Sequence, residues 1–430
     1  MPLKRTLTAF ALACAGIVAS SGGAEAAEHE GHTTTAKKAV RAPQAVLGPA
    51  ARFSSVPTPH FDASGRLWVA FVEGDAVYVA SSKDRGKSFG SGVRLTPEPE
   101  KIDANGEARP KLVVAPNGNI LVSWTQALGK PHTGNVRFSR STDGGRSFSK
   151  PVTLNDDGLV TGHRFDTLGV GPRGEVVVAW VDKRDREKAL GLGQKYEGAA
   201  IYYAISQDGG LTFAPNRKLK DYACECCRLA LAFDAQGVAA LVWRDILPGG
   251  IRDHSLARLS ASATETSPAR ATFDDWKISA CPHHGPSLSV GSDGTYHLGW
   301  FTGDGRRGGG VFYARSTSEG RSFDEPQRFG NPESAGRPTV LALGNRVWLA
   351  WKEFKDGVGT VLLVTASQDG GTRWDAPRTL ATTRHDSDHP FLLSNGKDVF
   401  ASWFSSDEGY RLLPATPLVQ TGEAGAPAGR

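Results

Sequence analysis

The chain has 430 residues, of which 39% are hydrophobic and 22% are charged, and its formal net charge is +5. The length alone could hold two or three average domains. The small, scattered positive charge argues against a nucleic-acid partner, which normally requires a concentrated basic face. Beyond the first residues, no stretch approaches the roughly 20 apolar residues of a membrane span. We therefore expect no transmembrane segment.

The two ends differ in composition from the rest of the chain. Residues 1–26 have the form of a secretory signal peptide, with Lys4 and Arg5 before an apolar run and small residues around Ala26. We therefore expect a periplasmic or secreted protein. Cys14, in the apolar run, distantly resembles a lipoprotein cleavage site, so lipidation stays open. Residues 27–42 are predicted to be a flexible leader and residues 419–430 a disordered tail.

Between these ends, apolar runs that finish in an aromatic residue recur at intervals of 51 to 63 residues. The markers are Phe71, Trp124, Trp180, Trp243, Trp300, Trp351 and Trp403. Such a period predicts one four-stranded sheet per unit, and hence a single all-β propeller over residues 43–418. Seven markers favour seven blades. The last unit lacks an outer strand, and we expect the segment from Pro43 to Pro49 to close the ring beside it, near Tyr410.

A second repeat has the form Ser-x-Asp-x-Gly-x-x-aromatic, with Ser replacing Asp in one copy. The copies begin at Ser82, Ser141, Ser206, Ser316 and Ser367. Asp and Ser can hydrogen-bond their own turn, Gly takes a conformation closed to other residues, and the aromatic fixes the turn to its blade. This phrase resembles the Asp-box, or BNR, repeat of the sialidase-like β-propeller superfamily. Because sialidases have six blades, six is the alternative blade count.

Aligning the units on their Gly turns predicts a cluster of cations at one mouth of the ring. Residues at the entry of the innermost strands include Arg109, Arg164, Arg228, Arg337 and His389. Since neighbouring strands are antiparallel, these entries share the rim opposite the Asp boxes. Converging arginines are suited to a carboxylate or phosphate, so we predict an anionic sugar or another glycan as the ligand. In the alternative interpretation, each arginine pairs with an acid of its own blade.

The resemblance to sialidases also implies an activity. Those enzymes hold the sugar carboxylate with three arginines and use a Tyr activated by a Glu, together with an Asp acid/base. By this resemblance Tyr410 is the candidate nucleophile, and Asp182 and Glu353, which follow two of the markers, are candidate catalytic carboxylates. The family's Arg-Ile-Pro motif is absent from the first unit. An exo-glycosidase and a noncatalytic binding protein therefore both remain open.

The cysteines give the second functional signal. Cys224, Cys226 and Cys227 enter the fourth inner strand, and Cys281 enters the fifth together with His283 and His284. These residues could bind Cu or Zn as a cofactor, in a noncatalytic metal-binding propeller. In an oxidising compartment the alternative is a pair of disulfides. Both interpretations predict contact between the two groups, and the oligomeric state is left open.

Overall fold

The computed structural model describes residues 55–259 and 267–416. Over these residues the chain forms 27 β-strands and one α-helix. The strands make seven antiparallel sheets, six with four strands and one with three. The all-β class and the seven-blade count are thereby confirmed, and each blade follows the marker period.

The strands are numbered in chain order, four to a blade, and the first three blades take up β1 to β12. Blade 1 comprises β1 (Ser55–Phe61), β2 (Leu67–Glu73), β3 (Ala76–Ser82) and β4 (Val93–Arg94). Blade 2 comprises β5 (Lys111–Val114), β6 (Ile120–Ala127), β7 (Gly134–Ser141) and β8 (Val152–Thr153). Blade 3 comprises β9 (His163–Val170), β10 (Val176–Asp182), β11 (Ala199–Ser206) and β12 (Arg217–Ala223), with helix α1 (Arg184–Gly191) between β10 and β11.

The other four blades continue the pattern. Blade 4 comprises β13 (Ala230–Phe233), β14 (Ala239–Arg244), β15 (His254–Leu259) and β16 (Ala269–Arg270). Blade 5 comprises β17 (Ser287–Val290), β18 (Tyr296–Thr302), β19 (Gly310–Ser316) and β20 (Gln327–Phe329). Blade 6 comprises β21 (Ala335–Leu343), β22 (Arg346–Lys355), β23 (Gly359–Ser367) and β24 (Arg378–Thr383), and blade 7 comprises β25 (Phe391–Ser394), β26 (Val399–Ser405) and β27 (Gly409–Pro414).

The seven first strands of the blades form a closed inner ring. Each of β1, β5, β9, β13, β17 and β21 contacts the first strand of the next blade, and β25 contacts β1. The expected closing strand from Pro43 to Pro49 lies outside the described residues and stays a prediction. Within the described part of the chain, no helix is long and apolar enough to cross a membrane.

The aromatic markers lie inside the blades and hold them together. All seven are at most 1% exposed. They stand on the second strand of each blade, where the six tryptophans pack into apolar clusters that join neighbouring blades, and Phe71 packs within blade 1. The marker repeat is therefore the repeat of the hydrophobic core, because each blade must bury both faces against its neighbours.

The Asp-box turns fold as their chemistry predicts. In blade 2, the Ser141 hydroxyl donates to Asp143 at 2.8 Å and accepts from the Gly145 amide at 2.9 Å. The Asp143 carboxylate also accepts from the Ser147 amide at 3.0 Å. These hydrogen bonds hold the pKa of Asp143 well below its usual value. The turn is thus stabilised mainly by residues within a span of seven positions.

Each box also contacts the preceding blade. A Cβ added to Gly145 would come within 2.5 Å of the Trp68 ring of blade 1. The box aromatic Phe213 packs edge-on against Phe138 of blade 2, and Trp374 packs in the same way against Tyr313 of blade 5. The box therefore fixes one blade to the next, on the face opposite the entries of the inner strands.

Candidate functional site

Glu107 lies at the centre of the predicted mouth, among residues from four other blades. It is 3% exposed and sits in the connection that enters blade 2. Its carboxylate accepts from the Arg228 amide at 2.7 Å, from the Arg228 guanidinium at 2.9 Å and from the Gly285 amide at 3.1 Å. Arg337 Nη1 lies 3.5 Å from Glu107 Oε1, and His389 Nδ1 lies 3.4 Å from it. Sequence reasoning missed Glu107.

Arg109 lies in the same cluster but is fully enclosed. Its guanidinium forms an ion pair with Asp388, and it donates to the Pro57 carbonyl oxygen at 3.1 Å. The side chain is 1% exposed and stacks on Phe391 at 4.7 Å. Arg109 is therefore a structural link between blades 2, 1 and 7 and is not open to a ligand.

Arg164 lies apart from the other three arginines. Its guanidinium bonds Asp103 at 2.6 Å, and the pair lines a separate pocket of about 310 Å³. Arg109 pairs with Asp388, Arg164 with Asp103 and Arg228 with Glu107. In each pair the acid belongs to a different blade from the arginine. Arg109, Arg164 and Arg228 are thus paired with acids, but the pairing within one blade that the alternative interpretation predicts is not what the structure shows.

Local backbone geometry turns Arg337 toward the mouth. Arg337 has φ of 58°, and the pairing of β21 with β22 shifts register between Gly336 and Thr339. This is the signature of a bulge, which redirects a side chain at the edge of a sheet. The same kind of shift occurs at the entry of blades 1 and 3.

Arg337 borders a pocket on this rim whose volume is about 740 Å³. The lining includes Lys352, Glu353, His284, Phe301 and Phe354. Phe354 is 59% exposed, so an aromatic face stands at the edge of the pocket. The pocket therefore combines cations with aromatic surface.

Burial controls the charges around this pocket. It lowers the pKa of Lys352 to about 8, an effect that Asp388 partly offsets. It also lowers the pKa of His389 and of His284, and the nearby Arg337 adds to both effects. Both histidines are therefore neutral at pH 7, and the fixed positive charge comes from the arginines and Lys352.

Asp182 and Glu353, the predicted catalytic carboxylates, serve the tryptophan markers. Trp180 Nε1 donates to Asp182 at 2.7 Å, and Trp351 Nε1 donates to Glu353 at 2.8 Å. Asp182 is fully buried and is also bonded by Arg184 at 3.0 Å. In these two blades an acid two residues after the marker is thus the acceptor of its indole N–H. Of the two, only Glu353 lines the 740 Å³ pocket.

Tyr410, the predicted nucleophile, is not brought together with the arginines. It is 6% exposed and packs with Phe61, Phe400 and Leu412 in the core between blades 7 and 1. Phe89, the aromatic of the first Asp box, meets its ring edge-on at 5.9 Å. Tyr410 thus occupies the position that Phe138 and Tyr313 hold in blades 2 and 5, on the Asp-box side.

The structure brings together the four cysteines and one of the two histidines that the sequence suggests as metal ligands. Cys224 Sγ lies 3.6 Å from Cys226 Sγ and 3.7 Å from Cys227 Sγ, and all three thiols are buried. Cys226 also shares a cluster with the exposed Cys281 and His283, whose ligand atoms lie within 4.8 Å of one another. The four cysteines are free thiols in the described residues. His284 is not in the cluster and instead stacks on Phe301 in the 740 Å³ pocket.

Comparisons with known proteins support the fold. No family model matches the chain, and no curated protein sequence matches it. An ulvan lyase of polysaccharide lyase family PL25, solved bound to -[GlcA(1-4)Rha3S]-, is similar with a TM-score of 0.54 and 13% identity, covering 86% of this chain and 94% of that one. The Hadza microbial sialidase Hz136 has a TM-score of 0.48 and 16% identity, covering 86% of this chain and 75% of that one.

An α-L-arabinofuranosidase of Fusarium graminearum, of family GH93, in complex with arabinobiose has a TM-score of 0.46 and 14% identity, covering 69% of this chain and 88% of that one. At such identities the similarity shows a shared fold, and the evidence for it is the ulvan lyase, whose TM-score is above 0.5. The resemblance expected from the Asp boxes is confirmed at the level of a β-propeller fold.

Proposed function

We propose that this chain is an extracytoplasmic β-propeller that binds an acidic glycan at its mouth, with a sugar carboxylate or sulfate held in the 740 Å³ pocket. The observation that carries the proposal is the state of Arg337. Its Nη1 atom is buried without a hydrogen-bond partner in the described residues, and the nearest carboxylate, that of Glu107, is 3.5 Å away. The Arg337 side chain as a whole is 23% exposed and lines the pocket, so its guanidinium is open to an acceptor supplied by a ligand.

The surroundings of Arg337 fit the same ligand. Lys352 adds a second cation on the pocket wall, and Phe354 offers an apolar ring face of the kind on which sugars stack. Burial raises the strength of a charged hydrogen bond, since water competes less for both partners. The ulvan lyase with a similar fold was solved with a glucuronic-acid-containing segment bound, which is in keeping with an acidic ligand.

The proposal is one of binding, without glycosidase chemistry. Tyr410 lies in the core on the other face, and Asp182 is occupied by Trp180 and Arg184. The nucleophile and acid of a sialidase are therefore not assembled from the residues that the sequence suggested. Fold similarity alone does not supply them.

Calorimetric titration tests the proposal. The probes are an oligosaccharide of glucuronic acid and sulfated rhamnose, free N-acetylneuraminic acid, and neutral arabinobiose as the control ligand. We expect an acidic probe to bind and arabinobiose not to bind. Arg337→Ala should weaken the binding about 10- to 100-fold, since a hydrogen bond to a charged group is worth about 1.5–3 kcal/mol.

The matched control is Arg346→Ala. Arg346 lies in the same β21–β22 hairpin but at its opposite end, where it stacks on Trp348. Its removal should leave the affinity unchanged. Equal affinity of the wild type and Arg337→Ala for every acidic probe, or no binding of any, would overturn the proposal.

A further inference from the structure

Three buried thiols stand together where the chain enters blade 4. Cys224, Cys226 and Cys227 are each at most 4% exposed, and Cys224 Sγ lies 3.6 Å from Cys226 Sγ and 3.7 Å from Cys227 Sγ. Four-coordinate zinc with Zn–S bonds of about 2.3 Å places its sulfur atoms about 3.8 Å apart, from the tetrahedral angle. A disulfide would require about 2.05 Å. The thiols are therefore spaced as ligands of one ion.

A neighbouring loop supplies further ligands. Cys281 and His283 lie before β17 of blade 5, and both are exposed. Their ligand atoms and Cys226 Sγ all lie within 4.8 Å of one another. His283 has φ of 51°, a conformation that most side chains avoid and that persists only where the surrounding structure holds it. Cys226 is thus shared by a buried group of three thiols and an exposed pair.

A buried cation beside the thiols lacks a carboxylate. Arg244 is 2% exposed, and its guanidinium donates to the carbonyl oxygens of Arg252, His284 and Phe301. Among the described residues it forms no salt bridge, and its Nε has no hydrogen-bond partner. The Cys224 amide donates to the Arg244 carbonyl oxygen at 2.9 Å, so the two residues are neighbours. Three thiolates around a divalent ion carry a net negative charge, which Arg244 would balance.

We propose that Cys224, Cys226 and Cys227, completed by Cys281 or His283, bind one thiophilic d¹⁰ cation, Zn²⁺ or Cu⁺. Thiolates and imidazole are the ligands that these ions prefer. The mature chain after residue 26 contains no methionine, so thioether ligands do not compete. The ion would join the entry of blade 4 to the loop of blade 5. That loop also contains Gly285, whose amide donates to Glu107.

The test uses the full chain purified anaerobically with reductant, stripped with a chelator and then desalted. Zn²⁺ and Cu⁺ are titrated separately, and bound metal is measured by mass spectrometry. We expect about one equivalent of one ion to survive desalting, because thiolate-rich sites bind tightly. Co²⁺ substituted at the site should show the absorption of a tetrahedral thiolate complex.

Variants assign the ligands. Cys281→Ser and His283→Ala change exposed side chains, so both proteins should fold, and the fourth ligand is the one whose loss lowers affinity about 10-fold or more. Cys226→Ser should abolish retention, and circular dichroism checks that it is folded. His132→Ala, which removes an exposed histidine of blade 2, is the control and should bind as the wild type does.

Two results would overturn the proposal. One is the absence of retained metal in wild-type protein whose four thiols alkylate freely. The other is a disulfide among Cys224, Cys226, Cys227 and Cys281 in protein isolated without reductant from its own compartment, because a disulfide consumes the thiolates that a metal requires.

Discussion

The two faces of this propeller are built in different ways. On the Asp-box face, each turn is held by bonds between residues two to four positions apart, as in the pairs of Ser141 with Asp143 and with Gly145. On the mouth face, Glu107 bonds to Arg228, 121 residues away, and to Gly285, 178 residues away. The Asp-box face repeats one locally stabilised turn around the ring. The mouth face joins residues that are distant in the sequence and do not recur from blade to blade.

This difference separates the scaffold from the site. A motif stabilised within a few residues can be repeated in every blade, because it does not depend on what the other blades contain. The mouth depends on one residue from each of several blades, so it can change without altering the repeat. Fold and ligand are therefore specified by different parts of the sequence.

The largest effect is expected from Glu107→Gln, which removes the charge at the mouth and keeps the size of the side chain. Arg228 and Arg337 then lose their shared carboxylate. Removing one partner of a buried ion pair costs about 3–5 kcal/mol, so the free energy of unfolding in denaturant should fall by an amount in that range. Glu98→Gln, an exposed residue of the same connection, should change it little.

The same variant separates stability from binding. Arg337 without Glu107 nearby is freer to bond a ligand, so the affinity for an acidic oligosaccharide should rise while the stability falls. A parallel loss of both would mean that Glu107 belongs to the ligand site itself.

A smaller effect is expected on the Asp-box face, from a pair of neighbouring glycines. Gly144 and Gly145 have φ of 73° and 78°, so alanine is strained at both, by about 1–2 kcal/mol. A Cβ on Gly144 meets nothing within 4 Å, whereas a Cβ on Gly145 meets Trp68 at 2.5 Å. Gly145→Ala should therefore cost about 1–3 kcal/mol more than Gly144→Ala in thermal or denaturant unfolding.

That comparison measures the contact between blades 1 and 2 apart from the turn conformation. Similar losses in the two variants would show that Trp68 moves aside without cost. In both variants, any change in the free energy of ligand binding at the mouth should be no larger than the change in the free energy of unfolding.

The smallest effect concerns pH. Burial lowers the pKa of Lys352 to about 8, so its charge is present below that pH and is lost as pH rises through it. Affinity for an acidic oligosaccharide should fall about 10-fold between pH 7 and pH 10, as one charged contact is removed. A bound anion stabilises the protonated lysine, which displaces the fall toward higher pH.

Lys352→Arg is the matched variant for the pH experiment. Arginine stays charged throughout this range, so its binding curve should be flat. A flat curve in the wild type would remove Lys352 from the site.

The fold could be predicted well from the sequence and the site only in part. The tryptophan markers and the Asp boxes each recur with the blade period, so seven blades and their two faces follow from counting. The alignment of the units at the entries of their inner strands predicts that Arg228, Arg337 and His389 lie near one another, as they do around Glu107. It could not show that Arg164 would instead pair with Asp103, because that choice depends on loop geometry outside the repeat.

The candidate catalytic residues occupy positions with structural roles. Asp182 and Glu353 follow a marker by two residues, and at that position each carboxylate accepts from the indole N–H of the same strand. The candidate role of Tyr410 rests on its place near the end of the chain, where its ring packs against the aromatic of the first Asp box, as Tyr313 packs against that of the fifth. Glu107 could not be predicted from a repeat, because the other units have no acid at the equivalent position before the inner strand.

The contacts of Glu107 set an order of events during synthesis. The carboxylate emerges early, while His389 is added near the end of the chain. N-terminal units fold first on a growing chain, and contacts between distant residues form late. Until the last blade is made and β25 meets β1, Glu107 lacks its contact with His389, and Arg109 lacks its ion pair with Asp388. A chain stopped short of blade 7 would thus have a mouth whose Arg109 lacks its acid and a first Asp box whose Phe89 lacks Tyr410, so both faces are finished only when the ring is complete.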